Sequence, residues 1–121
     1  MSCALRGVGS VSQKLLEKNP SEVCISVITL AELRYGADRW ASKKLHRLVD
    51  VFVRGVLVEP FGAAAATRFG KLATALVDTG IPIGSFDALI AAHSLTLGTV
   101  LVTNNTKHFS RVRGLKIDNW V

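Results

Sequence analysis

At 121 residues, nearly half of them apolar, the chain can bury one normal core and is too short for two, so residues 1–121 are read as a single domain. Its longest apolar stretches are broken well before membrane-spanning length and no charged segment leads into a signal-peptide core, which excludes a membrane role and makes the cytoplasm the expected compartment. The formal charge of +6 is unevenly spread. Arg34, Arg39, Lys43, Lys44, Arg47 and Arg54 face only Asp38 and Asp50 in their stretch, and Lys107, Arg111, Arg113 and Lys116 face no acid. From Pro60 to Thr103 the charge is balanced, with Arg68 and Lys71 against Asp78 and Asp87. Clustered cations suit a polyanion, because neutralised phosphates release counterions; a merely solvated surface is the equal alternative.

The first predicted element is a helix over 10–18, with Ser10 and Gln13 at capping-box spacing, ended by Asn19-Pro20. Ala4 to Gly7 is too short and glycine-broken to make a central strand. Val23 to Ile28 is a β-branched, continuous apolar run, the pattern of a strand buried on both faces. A helix follows from Thr29 to about Ala37. Leu45, Leu48, Val49 and Phe52 recur at i, i+3, i+4, i+7 and predict an amphipathic helix from Lys43 to Arg54, stopped by Gly55.

Val56 to Val58 reads as a short strand and Ala63 to Val77 as a helix. The Gly80–Gly84 segment, with Pro82 inside it, is a stiff loop. Ser85 opens a helix that ends at Gly98; Val100 to Thr103 is a buried strand; an Asn-Asn loop and a last strand near Leu115 to Ile117 complete the chain. Cys3 and Cys24 have no metal-ligand spacing and are read as reduced thiols. Alternation of helix with strand predicts an α/β fold: a mostly parallel sheet with helices on both faces.

In such sheets a site forms beyond the carboxyl ends of the strands. Glu32, Asp87 and the pair Asn104 and Asn105 fall there. Each has an ordinary structural alternative: Glu32 could close a capping box with Thr29, Asp87 could serve the helix dipole, and the asparagines could be turn residues. Jointly, two carboxylates at helix starts can converge on one Mg²⁺, which is held by one or two carboxylates plus waters and substrate phosphate. A metal-assisted phosphodiesterase is the chemistry this points to. His93 shares an apolar row with Leu89 and Leu97 and is read as a buried, hydrogen-bonded histidine; His46 and His108 stand alone. No GxSxG, P-loop or GxGxxG pattern is present, which sets aside the usual hydrolase, NTPase and dinucleotide readings.

Three segments carry a family resemblance. Ile25-Ser-Val-Ile-Thr-Leu-Ala-Glu-Leu-Arg-Tyr-Gly36 resembles the "ISxITLAELxxG" segment of VapC-type PIN domains. Pro82-Ile-Gly-Ser-Phe-Asp-Ala-Leu-Ile-Ala-Ala-His93 resembles their "PIGxxDxLIAAH" segment, and Leu101 to Phe109 followed by Gly114 to Trp120 resembles their "LVTNNxxxF…GLxxxNW" ending. The resemblance implies a PIN-like three-layer sandwich and an endoribonuclease toxin of a type II toxin–antitoxin pair. It implies a Mg²⁺ or Mn²⁺ cofactor held by Glu32 and Asp87, with Asn105 near a fourth, variable site position where it would orient the attacking water. RNA substrate, a VapB-like antitoxin and a homodimer are the implied partners. Members of that family open with a strand ending in "LDTN", whose aspartate is a principal metal ligand; this sequence has no such segment, so the usual first central strand and its acid are expected to be missing. The alternative expectation is therefore a catalytically impaired module that only binds its antitoxin or a second copy. Nonspecific RNA binding through the basic segments is a third.

Overall fold

The computed structural model describes residues 4–6, 23–80, 83–103 and 106–118, with backbone only for 4–6 and Val23. The expected helix over 10–18 and the residues Cys3, Pro82, Asn104 and Asn105 lie outside the described residues. Strands β1 (Ala4–Arg6), β2 (Val23–Ser26), β3 (Leu57–Glu59), β4 (Leu101–Val102) and β5 (Ile117–Asp118) form one sheet in the order β3-β2-β1-β4-β5. Every pairing in it is parallel. The helices are α1 (Val27–Arg39), α2 (Lys43–Arg54), α3 (Ala63–Asp78), α4 (Ser85–Leu97) and the single turn α5 (Thr106–Phe109).

The α/β architecture is as expected, and the centre of the sheet corrects one detail. Ala4–Arg6 pairs with β2 on one side, Leu5 opposite Cys24, and with β4 on the other, Leu5 opposite Leu101. Three residues thus occupy the position that the sequence reading left without a convincing strand. Length is no obstacle here, because β2 has four residues and β4 two, and their inner edges would otherwise hold unpaired backbone groups. Cys24, read as a thiol, is disulfide-bonded; spacing along a sequence does not reveal which segments the sheet sets side by side.

Several boundaries shift for local reasons. The strand expected to run to Ile28 ends at Ser26, whose hydroxyl oxygen accepts the Ile28 N–H at 3.0 Å, so the helix begins at Val27 and not at the expected Thr29. At α2 the limits match the reading, and Ser42 caps it by accepting the Leu45 N–H. Of its apolar stripe, Val49 is buried while Leu45 and Leu48 remain exposed. The core gathers Cys24, Leu76, Ile90, Ala91, Leu101, Phe109 and Val112, joining β2, α3, α4, β4 and the α5 turn.

Strand order positions the site. From β1 the chain lays β2 and β3 to one side, then returns to place β4 and β5 on the other. The reversal makes β1 the topological switch point, and in open parallel sheets ligands usually bind in the crevice at the carboxyl ends there. Both α1, which follows β2 directly, and α5, which follows β4, start from that end.

Candidate functional site

Glu32 lies in the second turn of α1, six residues past its Ser26 cap. That spacing removes the capping-box alternative, since the box requires the third helical position, here Thr29. Glu32 Oε1 is instead buried with no hydrogen-bond partner among the described residues. Burial first, and the negative charge of Asp87 second, push the Glu32 carboxyl up to about 7. The two carboxylates predicted to converge do therefore sit close enough to repel.

Asp87 occupies the first turn of α4 and is about a quarter exposed. Gly84 is the N-cap residue of that helix and makes no side-chain capping bond, so Ser85, read as the cap, is its first helical residue. Beside Asp87 stands a residue that sequence reasoning left isolated: His108 Nδ1 is 3.6 Å from Asp87 Oδ2. It arrives on α5, a single turn with no periodicity long enough to be read from the sequence. Asn105, one residue before α5, lies outside the described residues.

His93 is buried, as expected, and its role is internal. Its Nδ1 lies 2.7 Å from the Ser26 hydroxyl, the group that also caps α1. One hydroxyl thus ties α1, which carries Glu32, to α4, which carries Asp87. The His93 ring meets Phe61 edge-on at 5.3 Å between centroids. Among the described residues its Nε2 has no partner of ordinary hydrogen-bond geometry, and burial lowers the imidazole pKa against the opposing pull of the Pro60 carbonyl and the Glu59 carboxylate. His46 is not isolated either. Arg34 donates to its Nδ1 at 3.0 Å, which puts the ring proton on Nε2, 2.7 Å from Asp38 Oδ1. Arg34 also reaches Asp50 at 2.6 Å, so part of the basic charge of α1 and α2 is neutralised internally.

Two mutually repelling carboxylates, one with a buried oxygen that has no partner among the described residues, fit a divalent cation: it would satisfy the oxygen and relieve the repulsion. Among the described residues no group of three or more His, Cys, Asp and Glu side chains is gathered as a metal site. A Mg²⁺ ion needs no more than one or two carboxylates, because it keeps several waters.

Crevice, strand order and paired acids together define a domain of the PIN class, and a model of the family described as PIN domain matches residues 9–115. The chain belongs to the PIN-domain family and is of its VapC type. It is similar to the tRNA(fMet)-specific endonuclease VapC of Shigella flexneri, 40% identical over 103 residues, which span 84% of this chain and 78% of the relative. Ribonuclease VapC2 of Rickettsia felis is 38% identical over 108 residues, 88% of this chain and 80% of that one. The solved structure of DNA-bound VapBC from Salmonella typhimurium superposes with a TM-score of 0.87 at 30% identity, over 99% of this chain and 100% of that one. No helix among the described residues is long and apolar enough to cross a membrane.

Proposed function

We propose that this chain, acting as one domain in the cytoplasm, is a divalent-cation-dependent endoribonuclease, the toxin of a type II toxin–antitoxin pair. The observation that carries this reading is the buried, unpartnered oxygen of Glu32 held against the charge of Asp87. Mutual repulsion of two acids raises the free energy of the folded chain, and it has a purpose only where a cation joins them. Glu32 and Asp87 are the residues that would hold Mg²⁺ or Mn²⁺; when bound, the cation supplies charge to a phosphoryl oxygen and acidifies water. Ser26 and His93 hold the helices that aim the two carboxylates. Asn105 orients the attacking water, and Lys and Arg side chains hold the RNA backbone. The named ribonucleases among the relatives support the reaction, and the VapBC complex among the solved structures supports an antitoxin partner; a homodimer is proposed on the family resemblance.

The test is cleavage of RNA with Mg²⁺ or Mn²⁺ by the purified chain. Glu32→Gln and Asp87→Asn are each expected to lower the rate by at least about a hundredfold, a loss of roughly 3 kcal/mol of transition-state stabilisation. Undiminished cleavage in both variants refutes the assignment.

One observation favours the impaired-module reading. The central strand, Ala4–Arg6, contributes no acid to the crevice, where the family resemblance would put an aspartate. This alternative predicts antitoxin or self binding with no cleavage even at high Mn²⁺.

A further inference from the structure

Away from the acidic pair, α3, the end of α4 and the segment after α5 enclose an open groove of about 730 Å³. Its floor is apolar, formed by Leu72, Leu76, Leu95 and Val112. Along it stand Arg68, Lys71, Arg111 and Arg113, and among the described residues no acid lines it. The sequence concealed this cluster. Arg68 and Lys71 belong to a stretch whose charges balance in the sequence, yet neither Asp78 nor Asp87 lines the groove. All four cations are exposed, and none forms an ion pair with an acid among the described residues.

We infer that this groove is a binding track for the backbone of single-stranded RNA that extends beyond the cutting site. The proposal rests on the ribonuclease reading for the identity of the polyanion. Continuity is the argument. Residues 106–113 form one compact segment, with Arg111 N–H bonded to the His108 carbonyl at 3.3 Å and Val112 N–H to the Phe109 carbonyl at 3.1 Å. One end sets His108 beside Asp87; the other sets Arg111 and Arg113 along the groove. Buried Phe109 and Val112 anchor the segment in the core, so the flanking arginines are presented from a fixed base. Along α4, Leu95 is about 12 Å from Asp87 at about 1.5 Å per residue, so a strand leaving the acidic pair reaches the groove within a short span.

Charge selects against a second copy of this chain, because a self-complementary contact would bring two such unpaired cationic surfaces together. With no aromatic side chain among the described residues of its lining, the groove reads phosphate charge, not base identity.

The experiment measures binding of a labelled single-stranded oligouridylate in EDTA, where cleavage is off, as a function of salt. Arg111→Ala with Arg113→Ala, and separately Arg68→Ala with Lys71→Ala, are each expected to reduce the slope of log affinity against log salt by about 1.4, near 0.7 for each lost phosphate contact. Lys43→Ala with Lys44→Ala removes the same charge from α2 and is expected to leave the slope unchanged. An equal reduction in that control, or none in the groove variants, overturns the proposal. So does a groove variant that loses poly-L-glutamate binding while keeping its RNA affinity, which would assign the groove to an acidic protein. A wild-type chain that binds RNA through the groove but never cuts it sinks the nuclease reading and leaves the track standing.

Discussion

Glu32 carries a stability consequence that can be measured without any substrate. Its carboxyl sits at about 7 in the folded chain against an ordinary value of 4.5. Between those pH values the folded state retains a proton that the unfolded state has released. The stability this contributes is therefore fully present below about 4.5 and is lost as pH rises through about 7. In EDTA, the melting temperature of the wild type is expected to fall relative to Glu32→Gln across that window, and Mg²⁺ or Mn²⁺ to restore it at the upper end. Parallel pH profiles for the two proteins would show that the carboxyl is not perturbed. At this scale the sequence was informative about identity and silent about contact. Glu32, Asp87 and buried His93 were legible from spacing; the approach of His108 to Asp87 was not, because it joins segments far apart in the chain through a four-residue helix.

Helices were more legible than strands. Those at 43–54, 63–78 and 85–97 follow from apolar periodicity sustained over three or more turns, where one misplaced residue does not erase the pattern. The strands are two to four residues long, too short for a pattern to fix their ends, so the limits of β2 to β5 and the existence of β1 come only from pairing. Gly98 shows how an end is set. It closes α4 in the left-handed region at φ 68°, with its N–H turned back to the Leu95 carbonyl. A Cβ there would meet nothing within 4 Å, so the effect of Gly98→Ala isolates backbone strain. It is expected to cost about 1 kcal/mol in chemical denaturation. A larger loss would mean that the neighbouring β4 strand had also shifted.

For the molecule as a whole, the surface divides by chemistry. The groove beside α3 is cationic, whereas α1 and α2 leave Tyr35, Trp40, Leu48 and Val51 exposed, a quantity of apolar side chain that solvent does not favour. On the toxin–antitoxin reading, the antitoxin covers that second face. Leu48→Lys with Val51→Lys is expected to abolish the co-purification of antitoxin while leaving divalent-dependent cleavage by the isolated chain intact. A complex of unchanged size on gel filtration would move the partner to another face. Nothing in the amphipathic pattern of α2 distinguishes, within its apolar stripe, the buried Val49 from the exposed Leu45, Leu48 and Val51.

The place of β1 also governs the order in which the protein can be built. Leu5 and its partner Leu101 lie roughly a hundred residues apart in the chain, so one flank of the middle strand has no neighbour until β4 is in place. Until β4 docks, that open edge presents unpaired backbone groups ready to pair with another chain.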